Sequence, residues 1–195
     1  MRSDPVIFEF AKTLRAPGAV LAERLAAAKV LFPITTRIPD HVLVISHHRR
    51  LMFNEQLNAL KKPLNSMRLE LPTYTIRDET QPQAMWIWPG MRVVGQRKPC
   101  VKSCMYDVVS CNAEAIVLRP VNFGLSAREL ATISIPTAKA SLAFVMSHAT
   151  TYCRAQGLQY LGVIALSDCE NRNFSLEMLN MGITRALHSS LVEIR

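Results

Sequence analysis

Two short apolar runs constrain this chain more than any other feature. His41-Val-Leu-Val-Ile-Ser46 and Leu161-Gly-Val-Ile-Ala-Leu166 are rich in β-branched residues and show no polar alternation. Such a run reads as a strand buried on both faces. The first leads directly into a helix over about 48–60, with Leu51, Phe53, Leu57 and Leu60 as its apolar side. A doubly buried strand feeding a helix is half of a βαβ unit, so the expected core is a parallel sheet with helices on its faces. The same grammar returns at the carboxyl end. Leu142–Ser147 reads as a strand, 151–157 as a polar turn and Leu161–Leu166 as a second buried strand. A helix over about Ser175–Leu187 then precedes a last strand, Ser189–Ile194.

Residues 6–31 carry apolar side chains at three- and four-residue steps with Ala-rich filler, and Pro17-Gly18 divides them into two helices. The texture changes between about Leu69 and Pro120. Pro72, Pro82, Pro89 and Pro99 punctuate the segment, and Met91–Gly95, Met105–Ser110 and Ala115–Leu118 are strand candidates with turn signals between them. The expected organisation is a helical lead-in over 1–39, an α/β domain over 40–68 and 121–195, and a small β-barrel inserted over 69–120.

With 195 residues, 49% of them hydrophobic and 19% charged, the chain can bury a core without a disulfide or metal staple, and its composition excludes disorder. Its longest apolar runs fall far short of the ~18–20 residues that cross a bilayer. Arg2, Asp4, Glu9, Lys12 and Arg15 interrupt any signal-peptide core, so a soluble, intracellular protein is expected, with no membrane partner. Lys and Arg number 23 against 15 Asp and Glu, a net charge of +8. That field favours a polyanion, and the dispersed basic groups imply a folded binding surface rather than a tail. The five cysteines are odd in number and irregularly spaced, which reads as reduced thiols. Cys100, Cys104 and Cys111 lack a nearby fourth ligand for structural zinc, and no metal site is expected.

A phosphate-binding loop is missing. Gly90 and Gly95 have the right separation, but Gln96-Arg97 follow; Gly157 and Gly162 are followed by Val163-Ile164. No Gly-Lys dipeptide occurs, so the lysine and hydroxyl of a Walker A site are absent. Leu161–Asp168 looks like a strand ending in a Walker B acid, but without a P-loop it reads as a core strand ending in a polar turn. Ser147-His148, Cys153 and His47-His48 raise a nucleophile–base reading, yet GxSxG, HExxH and the papain-type cysteine pattern are all absent.

The last third is the informative segment. Thr151-Tyr-Cys-Arg-Ala-Gln-Gly157 lies between two expected strands, and Met178-Leu-Asn-Met-Gly-Ile-Thr-Arg-Ala186 follows some 25 residues later. The pair resembles motifs V and VI of the carboxyl-terminal RecA-like domain of superfamily 1 helicases. Upstream, Val44-Ile-Ser-His-His-Arg-Arg-Leu-Met-Phe-Asn54 resembles motif IV. Trp88-Pro-Gly-Met-Arg-Val-Val-Gly95 through Tyr106-Asp-Val-Val109 looks like the SH3-like insertion of the RecD/Pif-type branch. The likeness spans about 40–194. It departs from the pattern at Cys153 and Arg154, where His and Lys are usual, and at Asn180 and Met181, where Tyr and Val are frequent. Lys102-Ser103 replaces a common Asn-Gly.

The resemblance implies an α/β, RecA-like parallel sheet with flanking helices and an inserted SH3-like β-barrel. It implies the second half of an ATP-dependent DNA helicase, whose Walker A/B half would come from another RecA-like domain in cis or trans. ATP with Mg would be held mainly by that other domain. In such a motor Arg185 matches the arginine finger that meets charge on the γ-phosphate. Arg49 or Arg50 would supply a second nucleotide contact, and Gln156 and Gly157 match residues linking the nucleotide cleft to the bound strand. Thr151, Arg154, Ser46 and His47 match positions along a single-stranded nucleic acid, where hydroxyls and cations hold phosphates without reading sequence. Trp86, Trp88 and Tyr74 read as barrel core or as base-stacking platforms. The alternative is a non-enzymatic nucleic-acid-binding or interaction module built on the same scaffold.

Overall fold

The computed structural model describes residues 4–71, 82–121 and 131–195; Pro72 and Tyr74 lie outside them. In chain order the elements are α1 (Pro5–Leu14), α2 (Leu21–Leu31), β1 (His41–Val44), α3 (His47–Lys61), β2 (Met67–Leu69), β3 (Met85–Ile87), β4 (Arg92–Gly95), β5 (Met105–Cys111), β6 (Ala115–Pro120), β7 (Ile133–Pro136), α4 (Thr137–Ala143), β8 (Phe144–Met146), β9 (Ala149–Thr151), α5 (Tyr152–Ala155), β10 (Ile164–Leu166), α6 (Leu176–Ile183) and β11 (Val192–Ile194). They form two compact units, 1–53 with 148–195, and 54–147.

The first unit holds a four-stranded sheet in the order β11-β10-β1-β9, parallel throughout. Every residue of β1, β10 and β11 is buried, which is why β1 and β10 read as continuous apolar runs, while β11 buries Glu193 between Val192 and Ile194. α6 packs flush on β10 because Gly182 has no side chain: a Cβ there would stand 2.6 Å from Leu166 Cδ2. α1 starts at Asp4, whose carboxylate accepts the Val6 and Ile7 N–H groups at 2.9 and 3.2 Å, and it buries Ile7, Phe10, Ala11 and Leu14. α2 buries only Ala28 and leaves Val30 and Leu31 exposed.

The second unit is antiparallel. Its larger sheet runs β7-β6-β5-β4-β8, beside a β2–β3 ribbon. The core comprises residues such as Met85, Ile87, Val93, Tyr106, Ile116, Leu118, Ile135 and Phe144, with Trp88 packed against its edge. Asn58, fully buried, holds β3 from both sides: its amide donates to Trp86 O at 2.8 Å and its oxygen accepts Trp86 N–H at 2.7 Å. The Trp86 ring carries Lys62 Nζ 3.9 Å above its centroid. The strands expected at 91–95, 105–110 and 115–118 are present as β4, β5 and β6.

One expectation fails here. Leu142–Ser147 is not a strand of the parallel sheet. Its first residues end α4, and β8 pairs antiparallel with β4, Val93 opposite Met146. The strand leading into the 151–157 turn is instead β9, only three residues long, paired with β1. Residues 133–146 therefore belong with the antiparallel sheet, not with the α/β domain expected over 121–195. At the carboxyl end Ser189–Leu191 is a 3₁₀ turn, and only Val192–Ile194 is strand.

Candidate functional site

β9 carries the chain to Thr151, which is buried, and α5 turns it back within four residues. Gly157, at φ +81°, ends that turn in a conformation that favours glycine; both it and Gln156 are exposed. Arg154 projects from α5, partly buried, with Nη2 enclosed and unpaired among the described residues. The phenol of Tyr160 stands beside Thr150, Arg154 and Arg185, and its ring tilts against His41 with centroids 4.6 Å apart. Burial pushes the phenol's pKa well above its usual range, against the opposing pull of those three neighbours.

Arg185 follows α6 and lies against the residues just after the turn. Its backbone carbonyl accepts Tyr160 N–H at 3.1 Å, and Tyr160 bridges to Ala186. Its guanidinium donates to Leu158 O at 3.1 Å, Met181 O at 3.3 Å and Thr184 Oγ1 at 3.3 Å. The proposed motif V and motif VI segments are therefore joined by backbone and side-chain bonds.

The motif IV residues separate. Ser46 and His47 are exposed, and Ser46 Oγ accepts Arg49 N–H at 3.2 Å. Arg49 points to Asp168, Nε to Oδ1 at 3.0 Å, while the other carboxylate oxygen accepts Ile45 N–H at 3.0 Å. Asp168 sits at φ +62°. The acid that ends the 161–168 segment thus clamps the end of β1 to the start of α3. Arg50 behaves differently. It is 2% exposed, and its Nε has no partner among the described residues. Burial lowers its pKa first, and the charge of Arg154 lowers it further; Arg154 is lowered chiefly by its own burial.

The structure thus joins Tyr160 and Arg185 through backbone bonds and ties Arg49 to Asp168, away from them. Tyr160 was not a sequence candidate. Its sole trace there is an aromatic residue with a polar tip in a glycine-flanked connector, a pattern shared with ordinary core tyrosines. Among the described residues no group of three His, Cys, Asp or Glu side chains could hold a metal ion, and no helix is long and apolar enough to cross a membrane.

A parallel sheet of this kind with helices on its faces is the RecA-like architecture of helicase domains. No protein-family model matches the chain, and no curated protein matches its sequence. Solved structures do match. Pif1 helicase from Candida albicans superposes with a TM-score of 0.64 at 11% identity, over 98% of this chain and 53% of that one. Bacteroides Pif1 bound to ssDNA gives 0.61 at 12%, over 99% and 49%. The complex of Bacteroides Pif1 with ADP-AlF3 and ssDNA gives the same values. The chain spans about half the length of these neighbours. At this identity the likeness is one of fold.

Proposed function

We propose that this chain serves as the second RecA-like half of an ATP-dependent superfamily 1 DNA helicase, with its antiparallel unit in the place of the SH3-like insertion. ATP and Mg would be bound chiefly by a Walker A/B-containing RecA-like domain in cis or trans. Arg185 would supply the arginine finger, Gln156 and Gly157 the link to the nucleotide cleft, and Thr151 and Arg154 the contacts to single-stranded DNA. Cleft closure on ATP and reopening after hydrolysis would move the two halves along one strand. The observation that carries this reading is the direct bonding of Arg185 to Leu158 O beside the exposed Gln156-Gly157 turn. On this reading that bonding would make the nucleotide and strand contacts parts of one piece.

The reading is tested by mixing the chain with a Walker A/B RecA-like domain and following ssDNA-stimulated ATP hydrolysis. Activity should need both components, and Arg185→Ala should lower kcat by about 10³-fold or more while leaving ssDNA affinity within a few-fold. Hydrolysis that ignores the chain or the substitution would refute it. A second reading, a non-enzymatic nucleic-acid-binding module, has its own support: Arg185 donates to two carbonyls and a hydroxyl, and Arg49 is held by Asp168. On that reading ssDNA binding persists and is indifferent both to ATP and to Arg185→Ala.

A further inference from the structure

The connection between β4 and β5 brings two cysteines to one face of the antiparallel unit. Carried past Val94–Met105, the register sets Gly95 opposite Cys104. Gly95 N–H donates to Cys104 O at 2.8 Å, and Gly95 O accepts Ser103 N–H at 2.9 Å. Two residues facing one make a β-bulge, and Ser103, at φ +66°, takes its left-handed position. Val101 O accepts Cys104 N–H at 3.2 Å, so the chain between the two cysteines is a tight turn. A Cβ placed on Gly95 would stand 2.9 Å from Cys100 Cβ and 3.1 Å from Tyr106 Cε2. Cross-strand Cβ atoms lie about 4.5–5.5 Å apart, which puts Cys104 Cβ within about 8 Å of Cys100 Cβ. A disulfide needs about 3.5–4.5 Å, inside that bound. Tyr106 shares the face of Cys104, two residues back, and its hydroxyl accepts Val101 N–H at 2.8 Å, which holds the turn over the pair.

The two thiols differ in access. Cys100 is 3% exposed, whereas Cys104 is partly open to solvent. Burial pushes the Cys100 thiol up to about 11, and the neighbouring Cys104 adds to the rise. Cys111 does not compete: it lies seven residues further along the strand, about 20 Å away, and its thiol is directed to Ile87 O at 3.8 Å. We infer that Cys100 and Cys104 are a reversible oxidation site, which a peroxide closes to an intramolecular disulfide. The Cys104 thiolate takes one oxygen of hydrogen peroxide to become a sulfenic acid, and the other oxygen leaves as water once protonated. The Cys100 sulfur then displaces the sulfenic hydroxyl, which departs as water with the Cys100 proton. Two thiols and one peroxide thus give one disulfide and two waters, and a reducing thiol reverses the bond by exchange. Arg97, Lys98 and Lys102, all exposed, ride on the segment that the bond would fix. The pair lies wholly in the antiparallel unit and needs no helicase partner.

The test is hydrogen peroxide treatment of the folded chain, then thiol blocking, trypsin digestion and mass spectrometry. Trypsin cleaves after Lys102, between the two cysteines. A disulfide therefore keeps the fragment ending at Lys102 joined to the one starting at Ser103 until dithiothreitol releases them. The joined pair should be the main product at these two positions. Cys100→Ser should instead leave Cys104 as a sulfenic acid that dimedone traps, and Cys104→Ser should leave Cys100 reduced. Exposed Cys153 serves as the internal control for oxidation. Recovery of both fragments unlinked from wild type in which Cys153 has been oxidised would overturn the inference. So would linkage of Cys104 to a second chain in place of Cys100. The wild-type digest decides the matter even if a variant fails to fold.

Discussion

Asp168 shows how a single side chain can mislead a sequence reading and still organise a fold. An acid at the end of a buried strand invites comparison with a metal-binding carboxylate, but its two oxygens hold Ile45 N–H and Arg49 Nε. Removing it leaves a partly buried backbone donor unpaired, a loss of about 1–3 kcal/mol. Asp168→Ala should therefore destabilise the protein by that amount in urea titrations. Asp168→Asn should cost less, because asparagine tolerates φ +62° and retains an acceptor for Ile45. The arginines carry the same lesson. Arg49 and Arg50 are indistinguishable in sequence, and only the fold shows that one meets an acid while the other is buried beside Arg154. Nothing local in the sequence encodes that partition, since both partners, Asp168 and Arg154, are more than a hundred residues away.

Helices and strands were legible where their signals were local. β1 and β10 announced themselves as apolar runs, and α3 by its periodic face. The α1–α2 break follows from Pro17-Gly18. β9 was missed because Ala149-Thr-Thr151 is too short and too polar to register. Leu142–Met146 was misplaced because a short apolar run does not say whether it ends a helix or which sheet it joins. Two elements offer clean tests. α6 touches β10 through Gly182, so Gly182→Ala should destabilise by about 1–3 kcal/mol of overpacking, although alanine favours helix; chemical denaturation reads the net loss. α1 depends on its cap, and Asp4→Ala should cost about 1 kcal/mol. Partial burial of the Asp4 carboxylate acts to raise its pKa, but the N–H groups of Ser189, Ile7 and Val6 and the Ser189 hydroxyl outweigh it and hold it below the ordinary 3.8. A depressed folded pKa stabilises the fold above the unfolded value, and that share is lost as pH falls through the folded one. Wild type should therefore lose more stability than Asp4→Asn on acidification below about pH 4, as measured by pH-dependent melting.

For the molecule as a whole, a two-unit organisation could be read from the change in texture after Leu69, and the parallel sheet from its strand–helix grammar. The boundaries could not, because β7, α4 and β8 join the antiparallel sheet through contacts distant in sequence. The sequence holds no Gly-Lys dipeptide, while Arg154 and Arg185 lie by the 151–157 turn. On the proposed reading, such a unit would complete another domain's nucleotide site. The most direct test is trapping of ADP with aluminium fluoride by an equimolar mixture of this chain, a Walker A/B RecA-like domain and single-stranded DNA. A long-lived ternary complex should form only when this chain is present, and Arg185→Ala should abolish it. Trapping that proceeds equally without the chain, or unchanged with Arg185→Ala, would contradict the account.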